Sequence, residues 1–238
     1  MKTICTQKVF NVTLQLFIEN DKMNSQENHA EKPQLKERIA MNAMRLFAEK
    51  GIKQVTMDDV AAGVGISKRT LYEQFPNKEE LLVTGCIIHQ QIMNEDLSLY
   101  CEQHDNVLLV ILHFYEETVK HMAVIHPNFF EDLVRYPRMV EFIAQNDKEH
   151  IEESTRWLQR GIDQGLFRQD LNLEILLNVI HEAMKHVKTD TTLRRRFPPA
   201  ELFSTIIFVL LRGMCTPKGQ EILEQFIQQQ KQNNNTLG

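Results

Sequence analysis

Cysteine is scarce and scattered. Cys5, Cys86, Cys101 and Cys215 are the four in 238 residues, and no two form a CxxC pair. That spacing argues against a zinc ribbon and a secreted disulfide scaffold, and a reducing, cytoplasmic compartment is expected. The 9 glycines and 7 prolines are few for this length, which argues against a loop-rich sandwich or barrel. No run approaches ~18 consecutive apolar residues, so no membrane span is expected. Positive charge is not in excess either: 27 Lys and Arg against 32 Asp and Glu give a formal charge of −5. Any nucleic-acid binding must then come from a basic face presented locally. What remains is an ordinary core-forming composition, 42% hydrophobic and 25% charged, long enough for one large domain or two small ones.

The first thirty residues stand apart. Phe10, Val12, Leu14, Leu16 and Ile18 alternate with polar residues at a period of two, which reads as a strand. Residues 19–33 are polar and read as disordered. The stretch fits a secretory signal poorly, because its apolar residues are interrupted and no small-residue cleavage site follows. Met23 would itself serve as a protein start, so residues 1–22 read as an appendage, with an arm reaching for DNA or a partner as the alternative.

From residue 34 on, the pattern is helical. Leu35, Ile39, Ala43, Leu46 and Phe47 fall on one face of a helix over Gln34–Lys50, which Gly51 ends. Thr56, with Asp59 three residues later, caps a second helix whose short stripe is Val60, Ala61 and Val64. Gly65 breaks it, and Ser67 caps a third over Lys68–Phe75, with Leu71 and Phe75 facing inward. Pro76 ends that helix, and Asn77 caps a longer fourth one running to about Leu99.

Two short helices joined by a tight glycine turn, packed on a longer one, describe a helix-turn-helix. The second helix of such a pair enters the major groove by its N-terminal residues, here Lys68, Arg69 and Thr70. Tyr72 and Gln74 are left on or near the outer surface. Bulk charge does not announce this function, because residues 34–82 hold eight cations against seven anions. Placement does: the turn and third helix carry Lys68, Arg69 and then Lys78, while the acids crowd helix starts. Lys78 sits at a helix N-terminus, as a solvated lysine or as a phosphate contact.

The run TMDDVAAGVGISKRTLYEQFPNKEEL, Thr56 to Leu81, resembles the DNA-binding signature of TetR-family transcriptional regulators. The Gly51 to Thr56 lead-in, the Ser-Lys-x-Thr-Leu-Tyr core and the Phe-x-x-Lys-x-x-Leu exit carry the likeness. The resemblance implies that Lys68, Arg69 and Thr70 lie in the major groove and that Tyr72 reaches the DNA backbone. It also implies that Thr56 caps near a phosphate and that Lys78 binds one; Ser67 and Gln74 are further candidate DNA contacts. Beyond this signature the likeness is looser.

After residue 83 no repeat or strand-like alternation occurs. Asn106–Ala123 begins almost entirely apolar and reads as buried. A short helix between Pro127 and Pro137 holds Phe129, Phe130, Leu133 and Val134. One long helix is then expected from Met139 through Trp157 and Ile162 to Gly165. Leu173, Leu176, Leu177, Ile180, Met184 and Val187 form a stripe on the next, and a helix from Pro198 or Pro199 ends at Gly213. A last helix starts at Thr216-Pro217 and gives way to a polar tail.

Apolar residues occupy nearly the whole circumference of the helix from Pro198 to Arg212. A second copy is expected to cover what a monomer cannot, and Leu173, Leu177, Ile180, Phe203, Ile207 and Leu210 are the candidate dimer-interface residues. A two-fold dimer places recognition helices ~34 Å apart on a palindromic operator. Phe114, Tyr115, Phe129, Phe130, Tyr136, Trp157 and Met184, with His121, are an aromatic population suited to a small-molecule cavity, although such residues are also ordinary core. The resemblance implies an inducer pocket among them.

No catalytic motif is present. His181 and His186 resemble a zinc-binding HExxH but stand five apart, which turns the second about 140° past the first. No GxSxG, P-loop or dinucleotide fingerprint occurs, and no metal or cofactor is expected. Arg194-Arg195-Arg196 reads as a solvated loop between helices.

The expected fold is all-α: an N-terminal three-helix DNA-binding domain with a helix-turn-helix over 34–82, and a larger helical ligand-binding and dimerisation domain over 83–230. Residues 1–33 form an appended segment and 231–238 a polar tail. The expected function is a homodimeric regulator, more a repressor than an activator, that leaves operator DNA when a small-molecule inducer binds. The alternative is a helical ligand-binding sensor or adaptor dimer without specific DNA binding.

Overall fold

In the computed structural model the described residues are 34–149 and 151–236. The strand-like alternation and the polar stretch before Gln34 lie outside them. Among the described residues the chain is all-α, and its only β feature is an isolated bridge between Phe167 and Cys215. Among the described residues no helix is long and apolar enough to cross a membrane. Cys86, Cys101 and Cys215 are buried, and none of the three is in a disulfide.

The helices are α1 (Leu35–Lys50), α2 (Met57–Val64), α3 (Lys68–Gln74), α4 (Lys78–Gln103), α5 (Val107–Val124), α6 (Phe129–Leu133), α7 (Pro137–Glu149), α8 (Ile151–Asp163), α9 (Leu173–Thr189), α10 (Thr191–Arg196), α11 (Pro199–Met214) and α12 (Pro217–Thr236). The first four match the sequence pattern to within a few residues, because each boundary has a local cause. Gly51, at φ 85°, takes the chain out of α1, and its N–H still bonds the Phe47 carbonyl.

Later boundaries differ from expectation. The long helix expected from Met139 to Ile162 corresponds to α7 and α8, which lie on either side of residue 150, outside the described residues. Arg194, Arg195 and Arg196 are not a loop: they form the last turn of α10, whose start is capped by the Asp190 carboxylate on the Thr192 and Leu193 N–H groups. Cations in a last turn suit the helix dipole. Gly213 does not end α11, which runs on to Met214 before Pro217 prevents continuation of the ladder. The Met214 carbonyl accepts from the Arg168 N–H at 2.9 Å. The polar residues from 231 to 236 continue α12, since Gln and Lys propagate a formed helix readily even without apolar contacts.

The described residues divide into two compact units, 34–94 with 120–148, and 95–119 with 149 and 151–236. Helices α4 and α5 each contribute a segment to both. The first unit packs Ile39, Phe47 and Ile52 with Leu71, Phe75, Leu81 and Leu82, and the same core takes in Phe129, Leu133 and Met139. Helix α6 and nearly all of α7 therefore belong with the helix-turn-helix, which is not the division expected at 82/83. In the second unit, Leu97, Val107, Leu108, Trp157, Phe167 and Leu223 are among the buried core. There α9 packs against both α8 and α11.

Candidate nucleic-acid interface

The geometry of the α2–α3 pair follows from short-range chemistry. Thr56 opens α2 with a reciprocal capping box. Its hydroxyl accepts from the Asp59 N–H at 3.2 Å, while the Asp59 carboxylate accepts from the Thr56 N–H at 2.7 Å and from the hydroxyl at 2.6 Å. Those bonds hold the Asp59 carboxyl below its ordinary range. Gly65 closes α2 in the left-handed conformation, at φ 75°, which a side chain would strain. Ser67 starts α3 two residues later, its hydroxyl accepting from the Thr70 N–H at 3.0 Å and lying 2.8 Å from the Thr70 hydroxyl. Leu71 and Phe75, 0% and 1% exposed, anchor α3 in the core.

That anchoring decides what faces outward. Lys68, Arg69 and Glu73 are exposed, Tyr72 is 43% exposed, and Thr70 and Gln74 are half-buried. Both cations have acidic partners. The Lys68 ammonium lies 2.8 Å from the Asp58 carboxylate, which pushes its pKa up, and the Arg69 guanidinium donates to Glu73 at 3.0 Å. Such solvent-exposed pairs are weak and are exchanged easily for a phosphate or a base edge. The Arg69–Glu73 pair was legible as an i, i+4 spacing on a helix. The Lys68–Asp58 pair was not, because the turn at Gly65 brings together residues ten apart.

Lys78 is placed as neither expectation had it. The side chain is half-buried, its ammonium donates to the Val55 carbonyl, and it lies 5.6 Å from the Phe47 ring centroid. Burial lowers its pKa, against the pull of Asp132 and Asp59 in the other direction.

The seven residues offered as ligand contacts come from both units. Phe129 and Phe130 pack edge to face at 5.7 Å in the core of the first unit, and Tyr136 packs against that core from its margin. Phe114, Tyr115, Trp157 and Met184 are buried in the second unit. Tyr115 is the most elaborately held: its hydroxyl donates to Ser204 at 2.9 Å, and Ser204 donates to the Ala200 carbonyl at 2.6 Å. Its ring packs against Phe203, Phe208 and Phe226, and burial pushes its pKa up. His121 is half-buried on α5 in the first unit.

Five of the six interface candidates, Leu173, Leu177, Ile180, Ile207 and Leu210, are half-buried along α9 and α11. Phe203 needs correction. It is 1% exposed within a single chain, stacked on Tyr115, so its ring is not on a face a second copy can reach. The most exposed apolar residues on these helices are Ile175 at 61%, Val179 at 52% and Val209 at 65%. Sequence reasoning passed over them because Ile175 and Val179 lie off the main stripe of α9. Among the described residues no cluster of three His, Cys, Asp or Glu side chains could hold a metal ion.

A short capped helix presenting two cations beyond a glycine turn, among described residues that are all-helical, defines a helix-turn-helix DNA-binding protein. The family model for bacterial regulatory proteins of the tetR family matches residues 39–84. The transcriptional repressor KstR2 of Mycobacterium tuberculosis is 27% identical over 146 residues, 59% of this chain and 72% of that protein. IcaR of Staphylococcus epidermidis, the negative transcriptional regulator of the biofilm operon icaADBC, is 45% identical over 47 residues, 20% of this chain and 25% of its own. Among solved structures, a transcriptional regulator from Saccharomonospora viridis in complex with choline shares the fold. Its TM-score is 0.58 at 14% identity, over 78% of this chain and 100% of that one. Residues 39–84 carry the DNA-binding domain of the tetR family, and the chain is a DNA-binding transcriptional regulator.

Proposed function

We propose that this chain is a repressor that binds a palindromic operator as a homodimer and leaves it when a small-molecule inducer binds. The observation that carries this is the exposed Lys68–Arg69 pair at the Ser67-capped start of α3, held outward by Leu71 and Phe75. Lys68, Arg69 and Thr70 read base edges, Gln74 and Tyr72 lie beside them, and Ser67 and Thr56 contact phosphates near their helix starts. On binding, Lys68 and Arg69 exchange Asp58 and Glu73 for DNA, and the released carboxylates repel phosphates that are badly placed.

Dimerisation uses the outer faces of α9 and α11, with Ile175, Val179 and Val209 added to the half-buried Leu173, Leu177, Ile180, Ile207 and Leu210. The inducer binds in the second unit among Phe114, Tyr115, Trp157 and Met184, with the Tyr115–Ser204 pair as the polar group that orients it. The ligand complex solved for the regulator of the same fold supports a small molecule as the class of effector. Induction is a population shift between recognition-helix spacings. A coupling of ~1–3 kcal/mol changes operator affinity ~5–150-fold. The protein works in the cytoplasm, where the operator is.

Fluorescence anisotropy against DNA from upstream of its own gene, with a scrambled duplex as control and at two salt concentrations, tests this. Selective binding by two chains per duplex, weakened by salt, is expected. The double variant Lys68→Ala, Arg69→Ala loses selectivity, and if both cations meet phosphates its salt slope is shallower by about 2. A double variant that binds like the wild type overturns the assignment of the interface, and one chain per duplex overturns the dimer.

A further inference from the structure

Residues 51–56 join α1 to α2 and end on the cap that starts the helix-turn-helix. Groups distant in sequence hold this link. On α6 the Asp132 carboxylate, 5% exposed, accepts from the Lys53 N–H at 2.8 Å. On the approach to α6 the His126 N–H donates to the Ala48 carbonyl, near the end of α1, at 2.7 Å. At the start of α4 the Lys78 ammonium donates to the Val55 carbonyl. A Cβ on Gly51 would stand 3.3 Å from His126 Nδ1 and 3.5 Å from Asp132 Oδ2, so the segment 126–132 lies directly against the link.

The link has no helical ladder to satisfy its polar backbone, so these side chains decide whether it has one conformation. A carboxylate as buried as Asp132 is costly unless hydrogen-bonded, and the Lys53 N–H is the bond it has at full strength, the Arg135 guanidinium standing 4.0 Å away. Lys78 gives up part of its hydration to lie near the Phe47 ring and reach Val55. Swinging the ammonium out to a phosphate would leave the Val55 carbonyl without that donor and give up the ring contact.

We infer that Lys78 and Asp132 are positioning residues: they clamp the 51–56 link from α4 and α6 and so fix where α2 begins, and Lys78 does this in place of the phosphate contact that the family resemblance implies. Only the last clause rests on the DNA-binding function; the clamp itself does not.

Amide hydrogen exchange on the full chain tests the clamp without DNA. In Lys78→Met and in Asp132→Ala the amides of residues 52–57 exchange ~10-fold faster than in the wild type, while those of α11 keep their rates. Lys78→Arg, which can still donate to Val55, restores protection. The slope of log K against log salt is then measured on the duplex that the wild-type chain selects from a random-sequence library. Lys78→Met keeps the wild-type slope and loses affinity, whereas a lost phosphate contact lowers the slope by about 0.9. If Lys78→Met does not fold, Lys78→Gln takes its place. Unchanged exchange in either variant, or a slope lowered by that amount, overturns the inference. A wild-type chain that selects no duplex defeats the DNA-binding assignment instead, and the clamp then stands or falls on exchange alone.

Discussion

Thr56 and Thr216 each stand just before a helix and accept from a backbone N–H of its first turn, yet one acts locally and the other across the chain. Thr56, in the first unit, exchanges hydrogen bonds with Asp59, three residues on. Thr216, in the second, accepts from the Gly219 N–H at 3.3 Å but donates its own proton to the Gly165 carbonyl at 2.7 Å, 51 residues away. Its N–H reaches the Leu166 carbonyl as well, at 3.0 Å. The two units differ in the same manner. In the helix-turn-helix the capping bonds of α2 and α3 come from within four residues. In the second unit several boundaries depend on contacts between distant segments, such as Arg168 with Met214 and Val107 with Gln164. Local chemistry is read from sequence; a long-range partner is not.

Three changes break or sharpen this contrast. The largest effect is expected where local order meets the core. Phe47 is fully buried in the first unit, and Phe47→Ala lowers stability by ~3–5 kcal/mol in urea unfolding. A loss below 1 kcal/mol would mean that the caps, not the core, hold the first unit together. Thr216→Ala comes next. It removes a cap and a long-range hydrogen bond together, for ~1–3 kcal/mol, and Thr216→Ser recovers most of the loss.

Thr56→Ala removes only a local box and costs ~0.5–2 kcal/mol, below Thr216→Ala in the same assay. Should the two rank the other way, the division into local and long-range caps does not hold. The smallest effect is the pH dependence of the Thr56 box. Asp59 has its folded pKa below the unfolded value near 3.8, because Thr56 bonds its charged form. Its contribution is therefore complete above that value and is lost as pH falls through the folded pKa. Acid titration of Thr56→Ala should show this loss missing, and identical acid profiles for the two proteins would remove Asp59 from the box.

Much of the candidate interface is legible in the sequence, as far as the placement of residues goes. Gly51, Thr56, Gly65, Ser67 and Pro76 punctuate the chain with residues whose backbone or capping preferences leave few alternatives. Leu71 and Phe75, four apart, then settle which side of α3 faces out. What could not be read was the company these residues keep. Asp58 meets Lys68 only because the turn folds α2 onto α3. Lys78 turns inward because Val55 and Phe47 are there to receive it. Asp132 joins the link before α2 from α6, on a segment that pattern alone had assigned to another domain.

The second unit shows the reverse proportion. Its apolar stripes were visible, as the buried Met184 and Val187 of α9 attest, but the helical placement of Arg194, Arg195 and Arg196 was not, and neither was the exposure of Val209. By itself, then, the sequence determined the helices, the caps of the helix-turn-helix and the outward face of α3, because these depend on neighbours within one or two turns. Only the tertiary structure decided which acids partner the cations, where α6 and α7 belong, and which apolar side chains of α9 and α11 stay uncovered. Burial and pairing depend on segments fifty or more residues away, which no local period records.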